Sequence, residues 1–399
     1  MTKPGSHSFP TPSRRSAAVA MFTALSACLA LAGPAAPIVA VGTGDGLRTT
    51  ATAFRTGGPA TIAPARHVRI LPPSTEQLPE TVPWRNDDEV PLDQFLTESH
   101  TRAFIVLHDG KLVTERYFLG TTRETPLPSW SVAKSMAGLL VGQAIREGRL
   151  TLDTRLVDVL PWLEVTGRRS QGYNEITVRD LLDMTSGIDA PEDYDPTPDG
   201  EGTIALLLTP DLRQYVKSRR DMVVKPGEKF EYLSFNTQLL AMVLQKAFGT
   251  RYVRAFTRRL WRPAGAEFPA TWDQDLRGVA RGFCCLNAAA RDLARLGLLV
   301  LDANGSRAAP VSRAWRRRLL TPQPHMDGEW GYSTAFWHPE GAKAGTRSAD
   351  ATAIGIMGQY IYVNTRTDTV IVKMSNHGIE QDERETFRAM RSIANSWAE

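Results

Sequence analysis

Ser131-Val132-Ala133-Lys134-Ser135-Met136-Ala137-Gly138-Leu139-Leu140-Val141-Gly142-Gln143-Ala144-Ile145-Arg146 is the stretch on which the reading of this 399-residue chain turns. From Val132 onward it is apolar nearly all round and ends before Gly148, which predicts a buried helix with a glycine stop. If that helix begins at Ser131, positions i and i+3 share a face and the Lys134 amine stands beside the Ser131 hydroxyl. The helix N-terminus adds positive potential and free N–H groups, which favour a developing oxyanion. A capping serine with a surface lysine is the ordinary alternative. Pro126 and Pro128 before the motif and the apolar run after it argue instead that both side chains are buried.

Working outward, Ala103–His108 and Leu112–Phe118 flank Asp109-Gly110, a pair that supplies the positive-φ residues of a tight hairpin. Helices are expected at Val178–Met184, at Asn236–Phe248 with Asn236 as its cap, and at Ala288–Leu301. Strands return at Met357–Val363 and Thr369–Met374, and Arg384–Trp397 carries Phe387, Met390, Ile393, Ala394 and Trp397 at helical spacing. The fold class expected is α/β: an antiparallel sheet built from both termini and flanked by helices, with an inserted, mainly helical domain over about 150–340. A catalytic cleft would lie at the junction.

Residues 1–42 read as a signal or membrane-anchor leader, because Arg14-Arg15 precede an almost charge-free stretch to Gly42. Ser13-Arg14-Arg15 is a twin-arginine cue, and Leu25-Ser26-Ala27-Cys28 matches a lipobox that would tether Cys28 to a membrane. The expected location is therefore secreted or cell-envelope associated. Residues 43–90, rich in Thr, Ala, Gly and Pro, read as a linker to a domain at 91–399.

The net charge of +4 is carried by the first 70 residues, which hold seven Lys/Arg and one acid. The remainder has 40 basic residues against 42 acidic ones. A basic nucleic-acid-binding surface is thus excluded as an expectation. Cys284 and Cys285 are adjacent, a spacing too short for an unstrained bridge, so two unpaired thiols are expected. The seven histidines form no His-Glu-x-x-His pattern, and no metal or other cofactor is expected.

A serine hydroxyl needs a base, and Lys134 needs desolvation or a partner to serve as one. Tyr232, in Pro226-Gly227-Glu228-Lys229-Phe230-Glu231-Tyr232-Leu233-Ser234, is the partner expected. Beside an ammonium its pKa should fall, so that a phenolate could take the serine proton and return it to the leaving group. Gly355-Ile356-Met357-Gly358-Gln359, entering a strand, offers close backbone approach and an edge N–H that could complete an oxyanion hole with the Ser131 N–H.

The order Ser131-x-x-Lys134, Tyr232 and Gly355–Gln359 resembles the serine β-lactamase and penicillin-binding-protein-like hydrolases. Within them it is most similar to the class C-like branch with esterases and 6-aminohexanoate-dimer hydrolases. Leu181-Leu182-Asp183-Met184-Thr185-Ser186-Gly187, Ala289-Ala290-Arg291-Asp292-Leu293-Ala294 and Gly358-Gln359-Tyr360-Ile361-Tyr362-Val363 extend the resemblance over about residues 95–399. It implies acyl-enzyme chemistry with Ser131 as nucleophile, Lys134 and Tyr232 as the proton-handling pair, and the N–H groups of Ser131 and Ile356 as the oxyanion hole. Tyr194, Asn287, Trp330 and Gly355 are implied at the substrate, with Tyr332 and Trp337 as further cleft aromatics.

Two departures matter. Penicillin-recognising members carry Tyr-x-Asn and a late-strand Lys-Thr-Gly or His-Thr-Gly; this chain reads Tyr232-Leu233-Ser234 and Ala353-Ile354-Gly355. Without that cation a substrate carboxylate loses its partner. The expectation is hydrolysis of a small ester or linear amide. The alternatives are a β-lactamase or D-Ala-D-Ala carboxypeptidase, or a catalytically silent binding module.

Overall fold

The computed structural model describes residues 58–167, 172–194, 202–302, 309–323, 330–338, 342–377 and 382–398. The expected leader at 1–42, with Cys28, lies outside them. The described chain opens with β1 (Ala60–Ile62), the hairpin β2 (Thr81–Trp84) and β3 (Asp88–Pro91), and α1 (Leu92–Glu98). Next come β4 (Thr101–His108), β5 (Lys111–Tyr117), β6 (Leu127–Pro128) and α2 (Val132–Arg146). The middle holds α3 (Leu156–Val159), α4 (Val178–Leu182), α5 (Gly202–Leu208), α6 (Leu212–Ser218), α7 (Ser234–Phe248) and α8 (Tyr252–Phe256). After β7 (Ala270–Trp272) and β8 (Leu286–Ala288) come α9 (Ala290–Leu301) and α10 (Arg313–Leu319). The chain closes with β9 (Gly331–Ser333), β10 (Phe336–His338), β11 (Asp350–Gly355), β12 (Gln359–Asn364), β13 (Thr369–Ser375) and α11 (Glu383–Asn395).

The main sheet runs β5-β4-β13-β12-β11-β10-β9 with antiparallel pairing throughout, so strands from both ends of the chain meet at the β4–β13 seam as expected. Alternation along the strands divides two apolar layers, because successive side chains face opposite sides of a sheet. Ala103, Ile105 and Leu107 join Ile361, Val363, Val370 and Val372 in the core shared with α2 and α9. Phe104, Val106, Tyr360, Tyr362 and Ile371 face the other way, against Phe387, Met390 and Ile393 of α11. The β4–β5 turn has Asp109 and Gly110 at φ 49° and 72°, the geometry that the Asp-Gly pair predicts. Helix α2 is buried from Val132 to Gln143 and beyond, and a Cβ at Gly142 would stand 2.5 Å from the Trp315 ring, so only glycine admits that indole.

Three expectations about the fold need correction. Residues 58–90 are not a linker: Ile62, Val82 and Trp84 are buried, and β1 pairs with β7 in a second sheet ordered β1-β7-β8-β6. Ala65 and Leu71 are buried with them, so apolar anchors spaced along a Pro- and Thr-rich stretch tie it to the core. The helical insertion ends before 340, since β9 and β10 already belong to the main sheet and α9 packs on it. Met357 precedes its strand and occupies a tight turn with φ 65°.

Candidate active site

Ser131 sits at the N-cap of α2, and its side chain makes no cap hydrogen bond. Its hydroxyl is left for Lys134, whose Nζ donates to Ser131 Oγ at 2.8 Å and to the Phe283 carbonyl at 3.2 Å, 149 residues away. The Ser131 hydroxyl is near enough to the Tyr232 phenol to offset part of the rise in its pKa, and Lys134 Nζ lies 4.9 Å from the Tyr232 ring centroid. The structure therefore brings together the three groups picked out in the sequence.

Burial sets their protonation. Lys134 is buried on every side, and desolvation pulls its pKa from 10.5 down to about 8, against the opposing pull of the Glu192 carboxylate. Tyr232 contradicts the sequence expectation: its pKa is raised, not lowered, first by desolvation and then by the negative charge of Glu192. The expected phenolate relied on a charged lysine, and burial disfavours both charges. Burial thus yields an amine that is far more readily neutral than an ordinary lysine, and a phenol that keeps its proton.

Glu192 is the residue that sequence reasoning underused. Its carboxylate accepts the Ser234 N–H at 2.6 Å and the Ser234 hydroxyl at 2.7 Å, capping α7 from 42 positions away. It also accepts the Tyr194 hydroxyl at 2.8 Å. Asn236, expected as that cap, lies inside the helix instead, with its side-chain oxygen accepting the Ser186 hydroxyl at 2.6 Å. No local pattern announces a cap supplied from so far along the chain.

The late strand comes where expected. A Cβ on Gly355 would lie 2.5 Å from the Ser129 carbonyl and 3.0 Å from the Ser131 nitrogen, so β11 passes directly against the start of α2. Ile356 follows at the strand end. Tyr194 is half-buried, and its pKa is pushed up by burial, then by Glu192 and Tyr232. Trp330 stands one ring further out: its centroid is 6.2 Å from Trp337, which is 5.2 Å from Tyr232. Tyr332 lies 4.9 Å from Trp337, and Phe230, which the sequence did not single out, lies 5.4 Å from Tyr332. Asn287 is on β8, paired with Pro128 of β6, with its amide 3.4 Å from both Thr271 Oγ1 and the Cys285 carbonyl.

Cys284 and Cys285 are joined as a disulfide, not left as two thiols. The left-handed backbone at Cys285, φ 73°, is what brings neighbouring side chains to one side. The bridge belongs to the segment that presents the Phe283 carbonyl to Lys134.

A buried amine between a half-buried serine and a half-buried phenol, at the junction of an antiparallel sheet and a helical region, defines the class: a serine hydrolase acting on amide or ester bonds. Residues 93–395 match the Beta-lactamase family model, and the chain belongs to that family. It is 33% identical over 310 residues to the 6-aminohexanoate-dimer hydrolase of Paenarthrobacter ureafaciens, covering 71% of this chain and 75% of that one. Its fold is similar to a solved Bacillus anthracis structure that carries the 6-aminohexanoate-dimer hydrolase name, at TM-score 0.76 and 21% identity over 92% and 98% of the two chains. It is also similar to EstCE1, a hydrolase with promiscuous acyltransferase activity, at TM-score 0.59 and 17% identity over 76% and 96%.

Proposed function

We propose that the protein cleaves a small ester or linear amide through an acyl-enzyme on Ser131. The observation that carries this reading is the 2.8 Å hydrogen bond between Lys134 Nζ and Ser131 Oγ inside a site that holds the amine near pKa 8. Ser131 Oγ attacks the carbonyl carbon as its proton passes to neutral Lys134. The carbonyl oxygen, now anionic, is received by the N–H groups of Ser131 and Ile356. Collapse of the tetrahedral species expels the alcohol or amine with a proton delivered through Tyr232, and water then repeats the sequence to release the acid.

Two observations favour an ester or open-chain amide over a β-lactam. The late strand carries Ala353-Ile354-Gly355 where a cation would meet a β-lactam carboxylate, and the cleft wall is aromatic. The name of the Paenarthrobacter relative points to a linear amide. Tyr194 and Trp330 are assigned to the substrate cleft, Gly355 to backbone approach and Asn287 to its rear wall. Arg14-Arg15 and the apolar run after them support export to the envelope or medium.

The test is a turnover screen of nitrophenyl esters, 6-aminohexanoate oligomers and a chromogenic cephalosporin, with fluorophosphonate labelling read by mass at Ser131. Ester or amide turnover that disappears in Ser131→Ala supports the assignment. Turnover of the cephalosporin alone, or labelling elsewhere, overturns it.

A further inference from the structure

Gln359 is buried, 1% exposed, and takes no part in the steps above. It opens β12 directly opposite Gly355, so the three residues Ile356, Met357 and Gly358 form the loop between register partners. Its side-chain nitrogen donates to the Met357 carbonyl at 2.8 Å, the Ser375 carbonyl at 2.9 Å and the Ile356 carbonyl at 3.4 Å. Its side-chain oxygen accepts the Ser375 N–H at 3.3 Å. One amide thus clamps the loop to β13.

The loop needs such a clamp. Met357 and Gly358 have φ 65° and 79°, and for methionine that region is disfavoured without outside support. The His377 N–H reaches the Met357 carbonyl at 3.2 Å, and the Ile356 carbonyl is met by the Gln359 amide. An oxyanion donor must be aimed to within fractions of an ångström of where charge develops. The Ile356 N–H belongs to the peptide that leaves the β11–β12 ladder at Gly355, and Gln359 holds the next two peptides, so ladder and clamp together set the backbone angles at Ile356 that aim its N–H.

We propose that Gln359 is the positioning residue of the oxyanion hole, holding the Ile356–Met357 turn so that the Ile356 N–H meets the tetrahedral oxygen. This inference rests on the reading of Ile356 as an oxyanion donor given under Proposed function. It makes a prediction that packing alone does not. Gln359→Met keeps the volume and loses every hydrogen bond. Gln359→Glu keeps the shape but sets a carboxylate against three carbonyl oxygens. Both should fail in the same way.

The experiment pairs ester kinetics with an alkylboronic acid, which adds Ser131 Oγ to boron, releases the serine proton to the site base, and becomes a tetrahedral anion occupying the hole. In the wild type the boronate should inhibit competitively, and Ser131→Ala should abolish its binding. Failure of either result sinks the oxyanion-site reading itself. Given both, Gln359→Met and Gln359→Glu should lower kcat by roughly 100-fold with KM within about twofold, and boronate Ki should rise by a matching factor. Boronate Ki unchanged in a variant that retains its circular dichroism overturns the inference while leaving the hydrolase reading intact. Should the methionine variant fail to fold, the glutamate variant carries the same decision. If both unfold, Gln359 serves stability, and the positioning role is refuted.

Discussion

The sharpest consequence of the site is its dependence on pH. Lys134 must be neutral to accept the Ser131 proton, and its pKa is held near 8. An amine at 10.5 is neutral in about 1 molecule in 3,000 at pH 7, whereas one at 8 is neutral in about 1 in 11, so burial raises the competent fraction ~300-fold. The charged and titratable groups around it are Ser131, Tyr232 and Glu192, with Glu383 acting on Tyr232 from the start of α11. Measured as kcat/KM for a nitrophenyl ester, which reports the free enzyme, the rate should rise with pH, tenfold per unit below 8, and level off above it. The total gain from pH 6 to pH 9 is ~90-fold. Glu383 itself titrates near 7, pushed up by burial, so the profile is repeated in Glu383→Gln, where the limb at 8 should persist. A profile flat from pH 6 to 9, or a limb that vanishes with Glu383, would show that Lys134 is not the base.

Ser131→Ala and Tyr232→Phe should each reduce ester turnover by at least ~1,000-fold while shifting thermal unfolding by no more than about 2 °C, since neither creates a cavity larger than a hydroxyl. Glu192→Gln removes the charge that favours the Lys134 ammonium, so the acid limb of kcat/KM should move to lower pH; a move upward contradicts the electrostatic assignment. Gly355→Ala forces a methyl into contact with the Ser129 carbonyl and the Ser131 nitrogen, and should cost ~1–3 kcal/mol in urea unfolding together with most of the activity. Lys373 is a buried residue of β13 whose amine donates to the Ser99 carbonyl at 3.2 Å, and desolvation lowers its pKa to about 7. Between pH 7 and 10.5 the unfolded chain binds the proton that the folded one does not, so stability should rise with pH across that window, by ~5 kcal/mol at most. Urea titrations of Lys373→Met should lose that slope.

Much of this architecture was legible locally. The hairpin at Asp109-Gly110, the all-apolar α2 and the strands β4, β12 and β13 are patterns of near neighbours, and the α2 pattern sets Ser131 beside Lys134. The order of motifs placed Tyr232 and Gly355 correctly beside them. What escaped depends on chain segments brought together only by folding. The Glu192 cap on α7 and the Phe283 carbonyl on Lys134 have no local signature. The strand at Ala60–Ile62 is too short to stand out, and gains its identity from β7. The Cys284–Cys285 bridge turns on a backbone angle that composition does not encode.

The direction of the Tyr232 shift escaped for a deeper reason, and it bears on the proton route proposed above. Sequence logic placed a phenol beside an ammonium and concluded that the phenol would ionise. That holds where one partner is already charged and stays so. Here the enclosing walls penalise charge on either group: they lower the lysine and raise the tyrosine. Glu192 adds a second bias against the phenolate, because its negative charge opposes ionisation of Tyr232 outright. In the competent form, about 1 molecule in 11 at pH 7, the three groups are a hydroxyl, an amine with a free lone pair, and a phenol with a proton to give. The serine proton then has one acceptor, Lys134, and the departing alcohol or amine has a donor already in place at Tyr232. From that form, charge on the three groups arises as the tetrahedral oxyanion forms beside the new ammonium, where Glu192 stabilises the cation and the proposed backbone N–H groups stabilise the anion. The burial that makes each group a poor ion at rest therefore confines the electrostatic stabilisation to the transition state, where it lowers the barrier.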